Sequence, residues 1–177
     1  MTAPDETRTQ SRVGPTSELY GLYLRVMRRI GHCRWFSLFM KHVGSRVDRA
    51  LIRASRGRFS MSGPQLPTML LTTRGRRSGK DRTVPLHYLR DGKNLVAACE
   101  NFGLEAASSW PKNLFADLRA RIEIGGTAAT YLSRPATDDE VARIMPRLIE
   151  MWPAHDSHME HSGVRQVIVF EPVAAQT

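Results

Sequence analysis

Three glycine-bearing turns constrain this chain more than any other feature. Asp91-Gly92, Gly125-Gly126 and the run from Gly75 to Gly79 each separate two β-rich segments by only a few residues. Connections that short join antiparallel neighbours, because a parallel crossover needs a dozen residues or more. The segments joined are 68–73, 82–89, 94–99, 121–124 and 128–132, all rich in β-branched or apolar residues. A further run, Val164 to Glu171, contains Val167-Ile168-Val169-Phe170 and reads as a last strand. Pro85 cannot donate to a ladder, so its strand is expected to lie at an edge or carry a bulge.

Helical signals are interleaved with these strands. Ser109 to Leu118 reads as a short helix, with Ser108 or Ser109 as N-cap and Pro111 early in it. Thr137 with Glu140 three residues on forms a capping box, opening a helix expected to run to about Met151. Upstream, Leu19, Leu22, Tyr23, Val26, Met27 and Ile30, then Phe36, Met40, Val43, Val47 and Leu51, follow helical spacing. Gly31 and Gly44 are expected to break or bend that segment. About six antiparallel strands with inserted helices imply an α+β barrel and not a doubly wound sheet. The expected organisation is a flexible tail over 1–15, a basic amphipathic helical extension over 16–60 and a barrel domain over 61–177.

Charge is unevenly distributed. Residues 1–60 hold 12 Lys/Arg against 4 Asp/Glu, whereas residues 61–177 hold 14 against 13. The excess positive charge therefore belongs to the extension. Two readings of it stay open: a helix packed on the barrel with a solvated basic face, or contact with an anionic membrane surface. Nucleic acid is not indicated, since no base-reading motif or stacking array accompanies the charge. Cys33 and Cys99 lack metal-ligand or CxxC spacing and read as thiols of a reducing cytoplasm. No apolar run is long enough to span a bilayer. The expected location is cytoplasmic, with peripheral membrane contact through 16–56 as an option.

Within the near-neutral remainder, one segment concentrates charge. Arg74-Gly75-Arg76-Arg77-Ser78-Gly79-Lys80-Asp81-Arg82 sets five basic residues around a turn between strands. Glycines there allow positive φ and close approach to the backbone. Successive amides could form an anion nest, and the arginines could take phosphate in bidentate fashion. The segment is not a Walker A loop. On physics alone it is either an anion site or a solvated basic hairpin.

A second segment, Glu100-Asn101-Phe102-Gly103, leads toward Trp110 and Asn113-Leu114. It could set backbone amides and the Asn101 amide against a planar ring, or be a plain strand-to-helix connection. A third, His155, His158 and His161 at spacings of three, lacks the carboxylate partners of a metal site and reads as pocket lining or a solvated face. No nucleophile–base arrangement stands out.

Taken in order, these elements resemble the deazaflavin-dependent nitroreductase family of the flavin/deazaflavin oxidoreductases. The matching residues are Leu70 to Gly79 with Arg82 (the pattern TTxGRxSGxxR), Pro85 to Gly92, Asn101-Phe102-Gly103, Trp110, Asn113-Leu114 and Val169 to Pro172. The resemblance spans about residues 66–173 and implies a split β-barrel of the FMN-binding type. It implies hydride transfer from reduced coenzyme F420, a deazaflavin with a phosphate and a γ-glutamate tail, to a quinone, nitro or enone-type acceptor. The protein then orients and the cofactor does the chemistry, so no catalytic side chain is required. By the resemblance, Arg74, Arg76, Arg77, Ser78, Gly79 and Lys80 grip phosphate and carboxylates. Arg82, Pro85, Asn101, Phe102, Gly103, Trp110 and Asn113 complete the cofactor site. His87, Tyr88, Trp152, His155 and His158 line the acceptor pocket. FMN is the alternative cofactor, a non-catalytic membrane-associated cofactor or lipid binder is the alternative function, and a homodimer is implied because such barrels often pair. The chain departs from the family at Glu100, at Pro111-Lys112 and at the three histidines.

Overall fold

The computed structural model describes residues 43–57, 59–61, 63, 66–99, 109–152, 155, 160 and 166–173. Expectations for 1–42, for Glu100 to Ser108 and for His158 and His161 lie outside the described residues. The elements run α1 (Ser45–Ala54), β1 (Thr68–Arg74), β2 (Asp81–His87), β3 (Leu89–Asp91), β4 (Asn94–Cys99), α2 (Ser109–Ala116), β5 (Arg119–Ile124), β6 (Thr127–Pro135), α3 (Asp138–Met151) and β7 (Gln166–Pro172).

All pairings are antiparallel, as the short turns required, and the sheet order is β2-β1-β5-β6-β7-β4-β3. The two outermost strands, β2 and β3, are consecutive in sequence and separated only by Tyr88. The first half of this segment pairs with β1, from Arg74↔Asp81 to Thr68↔His87. Its second half pairs with β4, from Leu89↔Val96 to Asp91↔Asn94. The sheet therefore curls until one bent strand serves both of its edges, which is the split barrel. The bend corrects the expectation of one continuous strand over 82–89. At Tyr88 the amide leaves the β1 ladder and donates to the Pro67 carbonyl at 3.1 Å. Pro85 is tolerated because β2 has a ladder partner on one side only.

Strand alternation sorts the side chains into two cores. Met69, Leu71, Tyr88, Leu95, Ala97, Ala120, Ile122, Ile168 and Phe170 fill the barrel, capped by Trp110 and Leu114 from α2. Val96, Val167 and Val169 face outward and are covered by Ile144 and Leu148 of α3. The Thr137–Glu140 capping box is present in full, and α3 ends at Met151 as expected. Arg134 then binds Glu140 at 2.7 Å and Glu171 at 2.8 Å, tying the start of α3 to β6 and β7. Gly44 has helical backbone angles and stands at the N-cap of α1, where the regular α-helix begins. α1 packs on the barrel beside β2, where the Arg49 guanidinium donates to the Thr83 carbonyl at 2.7 Å. Its far end meets the β5–β6 turn so closely that a Cβ on Gly57 would fall 2.9 Å from the Gly125 Cα.

Candidate functional site

The basic turn joins β1 to β2 at one end of the barrel. Its backbone closes on itself. The Gly75 amide donates to the Lys80 carbonyl at 2.9 Å, and the Ser78 and Gly79 amides both donate to the Gly75 carbonyl. Gly79 has φ +63, a conformation that costs other residues energy. Gly75 has no room for a side chain, since a Cβ there would meet the Ser78 Oγ at 2.8 Å and the Lys80 carbonyl at 3.0 Å. Both glycines are required by the geometry of the turn.

The turn is also braced from below. Asn113, buried on α2, accepts the Arg76 amide on Oδ1 at 3.2 Å. Its Nδ2 donates to the Oγ1 of buried Thr73 at 3.1 Å. α2 thus locks the last inward residue of β1 and the second residue of the turn with one amide side chain. Lys80 donates its own amide to the Ser78 Oγ at 3.4 Å. The amides of Gly75, Arg76, Ser78, Gly79 and Lys80 are all spent inside the protein. Those five amides are therefore not free to form the expected nest, which leaves the side chains as the candidate anion ligands.

Those side chains are well suited to it. Arg74, Arg76, Arg77, Ser78, Lys80 and Arg82 are all exposed. Among the described residues, none of the turn's cations is paired with a carboxylate. The Arg74 guanidinium lies across Gly79, within 4.0 Å of where a Cβ would stand there. The Arg82 stem runs past Gly75. The cluster fits a ligand carrying phosphate and carboxylates, because several like charges crowded on a rigid turn repel one another until an anion neutralises them.

The expected acceptor-pocket residues divide between two faces. His87 ends β2 on the outer face, with Nδ1 3.2 Å from the Thr68 Oγ1. Its ring lies 6.2 Å from that of Trp152, which caps the C-terminus of α3. The amide of buried His155 donates to the Trp152 carbonyl at 2.9 Å. His87 and Trp152 are therefore brought together, and His155 follows Trp152 in a backbone-bonded turn. Tyr88 is not with them; it points into the barrel, 8% exposed. Burial holds its phenol above the ordinary range, partly offset by Arg90. Trp110 lies in the barrel core. Pro85 is half-buried midway along β2, opposite Leu70. Thr73, the partner of the Asn113 amide, was not expected as a site residue; its sequence signal is its place as the second threonine of the TTxGRxSGxxR pattern.

Comparison with known proteins places the chain by family and fold. The family model for F420H(2)-dependent quinone reductase matches residues 44–172. An F420H(2)-dependent quinone reductase of Mycobacterium tuberculosis is 29% identical over 117 residues, covering 63% of this chain and 76% of that protein. A second M. tuberculosis protein, named as a candidate for the same activity, is 33% identical over 92 residues, covering 52% of this chain and 77% of its own length. Among solved structures, an F420-H2 dependent reductase superposes with a TM-score of 0.54 at 22% identity, over 59% of this chain and 94% of the other. That likeness shows the shared split-barrel fold. The matched family and the curated relatives are named for an oxidoreductase activity, so the reading as a non-catalytic binder falls away. The chain belongs to the F420H(2)-dependent quinone reductase family, whose cofactor is reduced F420.

Proposed function

We propose that this chain seats the phosphate and γ-glutamyl carboxylates of F420 on the Gly75–Lys80 turn and directs its ring along β2 toward a quinone held near His87, Trp152 and His155. The observation that carries the proposal is the rigid turn with exposed cations unpaired among the described residues, locked by the Asn113 amide. When bound, reduced F420 supplies the hydride; the chain binds and orients. Arg76, Arg77 and Lys80 would neutralise the tail, while Arg74 and Arg82 flank it. β2 acts as a ruler: the five steps from Arg82 to His87 span about 17 Å of extended chain. That length separates a charged anchor from an acceptor pocket by the order of one extended cofactor. At the far end His87 can hydrogen-bond a quinone carbonyl, and Trp152 offers a flat apolar wall. Asn101, Phe102 and Gly103 are assigned to the ring by the family resemblance alone.

Equilibrium titration with F420 tests the proposal. Binding in the micromolar range or tighter is expected, lost in Arg76→Ala with Arg77→Ala. An intact chain that does not bind F420, or a purified protein that is yellow with tightly held flavin, would refute it.

A membrane-facing role for α1 is a second reading, favoured by one observation. Val43, Val47 and Leu51 are exposed at 46%, 51% and 37%, four residues apart on one helical face beside Arg46 and Arg53. Salt-sensitive binding to anionic vesicles supports it; no binding at low salt discards it. No described helix is long and apolar enough to cross a membrane. A homodimer remains a reading by likeness to the fold, in which one solved structure is a domain-swapped dimer; sedimentation velocity decides it.

A further inference from the structure

Hydrogen-bond roles around Thr68 decide which nitrogen of His87 carries a proton. The two residues are ladder partners at the end of β1 and β2, so their side chains leave the same face of the sheet. Both are half-buried. Thr68 Oγ1 has two neighbours: the Leu66 carbonyl oxygen at 3.0 Å and His87 Nδ1 at 3.2 Å. A hydroxyl owns one proton, and a carbonyl can only accept. The proton therefore belongs to the shorter contact, with Leu66. Leu66 is buried, and among the described residues no backbone amide donates to its carbonyl. Turning the hydroxyl away would leave that oxygen without its donor. The segment is also pinned beside it, because the Pro67 carbonyl takes the Tyr88 amide at 3.1 Å. What Thr68 Oγ1 offers His87 is a lone pair, so the imidazole donates and Nδ1 carries hydrogen.

That arrangement serves both charge states of the ring. Neutral His87 keeps hydrogen on Nδ1 and a lone pair on Nε2, whereas charged His87 has hydrogen on both. Nε2, the distal nitrogen, is then the atom where a proton comes and goes. Trp152 stands beside the ring, 6.2 Å between centroids and tilted by 49°. A quinone carbonyl cannot bond to the neutral form, whose Nε2 also accepts; it selects the charged form. The reaction needs a donor at that place. A quinone that takes a hydride gains two electrons and one hydrogen and keeps one oxygen as an anion. Transfer of the Nε2 proton to that oxygen breaks the N–H bond, forms the O–H bond of the hydroquinone and leaves His87 neutral with Nδ1–H unchanged. Solvent returns the proton before the next turnover. Thr68 thus plays, with a neutral oxygen, the part that a carboxylate plays behind a catalytic histidine.

We propose that His87 Nε2 is the proton donor to the reduced quinone, and that Thr68, backed by the Leu66 carbonyl, is the positioning residue that keeps hydrogen on Nδ1. The inference rests on a quinone being held beside His87 and Trp152, as in the proposed function. Thr68 belongs to neither the basic turn nor the acceptor pocket, so its effect on turnover passes through His87.

Two measurements on the full chain test this, the first with neither cofactor nor acceptor present. Proton–nitrogen correlation NMR of histidine-labelled protein, at about pH 9 where imidazoles are neutral, reads which ring nitrogen holds hydrogen. Loss of signals in His87→Gln identifies those of His87. The native chain and Thr68→Ser are expected to hold hydrogen on Nδ1, and Thr68→Val to shift most of it to Nε2. A native ring with hydrogen on Nε2 overturns the inference. The second measurement is steady-state reduction of a soluble quinone at saturating F420. His87→Gln keeps an N–H for the carbonyl but has no proton to give, so kcat should fall about 100-fold with KM changed by about 2-fold or less. Thr68→Val should lower kcat about 3–10-fold, the worth of one hydrogen bond, and Thr68→Ser should restore it. In the His87→Gln background Thr68→Val should cost about 2-fold or less, because its effect needs the imidazole. An equal cost in both backgrounds makes Thr68 a structural residue and overturns its role. Unchanged kcat in His87→Gln overturns the donor while leaving F420 at the turn. A native chain that reduces no quinone refutes the proposed function and the donor together, and the tautomer of His87 is still decided by the NMR alone.

Discussion

Substitution of Asn113 tests the basic turn at its support. Two bonds rest on this buried side chain, one to the Arg76 amide and one to the Thr73 hydroxyl. Asn113→Ala removes both. Each is worth about 1 kcal/mol net, and Thr73 is left buried without its partner, so a loss of about 2–3 kcal/mol in stability is expected. The turn is then held only by its own backbone bonds and must be ordered when the cofactor arrives. Ordering one residue costs roughly 1–2 kcal/mol, which predicts F420 binding weaker by about 5–30-fold. Asn113→Asp separates the two effects. Its carboxylate still accepts the Arg76 amide and can accept from the Thr73 hydroxyl, so the turn keeps its shape. It also sets a negative charge beneath the anion. For charges about 8 Å apart near a surface the repulsion is roughly 2 kcal/mol, reduced by salt to about 1. Affinity for F420 should fall about 5-fold at physiological salt and further in dilute buffer. Urea denaturation and F420 titration of both variants read the two quantities separately. If Asn113→Asp binds F420 as tightly as the native chain at low ionic strength, the anion does not sit on this turn.

Three further outcomes follow from the geometry. Gly75→Ala forces a Cβ to within 2.8 Å of the Ser78 Oγ, so the turn must shift; F420 affinity should drop at least 10-fold with a Tm loss of only a few degrees, measured by titration and thermal scan. Arg134 and the capping bond at Thr137 hold the Glu140 carboxyl down at about 2. Because its folded value lies below the unfolded one, the stability it contributes is present above about pH 4.5 and is lost as pH falls toward 2. Glu140→Gln should therefore cost about 1–2 kcal/mol at pH 7 and almost nothing near pH 2, in urea midpoints taken across that range. Tyr88 should ionise later than an exposed tyrosine in an alkaline absorbance titration, and Tyr88→Phe should remove that late phase; a native curve with no late phase would contradict its burial.

Local features of the fold were legible in the sequence because their causes are local. The capping box needs only Thr137 and Glu140, three residues apart, and Asn94–Cys99 is bounded by a hairpin turn on one side. The basic turn declared itself through composition. What could not be read depends on distant partners. Arg82 to Leu89 looks like a single β run, and its bend at Tyr88 exists only because β1 ends opposite His87 and β4 takes over at Leu89. Asn113 stands 37 residues from the amide it holds. The amide nest was a fair reading of Gly75 to Gly79 until the backbone was seen to bond to itself and to α2. Arg119 and Arg121 alternate with Ala120 and Ile122, which signals an exposed face, but nothing in that alternation says β1 is the neighbour.

The place of β7 between β6 and β4 has a consequence for how the molecule comes together. The β1–β2 and β3–β4 hairpins share one strand and lie close in sequence, so they can form early, with the basic turn already at one tip. β4 then waits for a partner some seventy residues downstream: Ala97 meets Ile168 and Leu95 meets Phe170. Until residues 166–172 arrive, two half-sheets present unpaired backbone toward each other, and the barrel interior is open to water. During synthesis the anchor for the cofactor is made before the vessel around it can close. Bound F420 would not be expected to rescue a chain shortened before Gln166, because the missing strand is needed by both halves of the sheet at once.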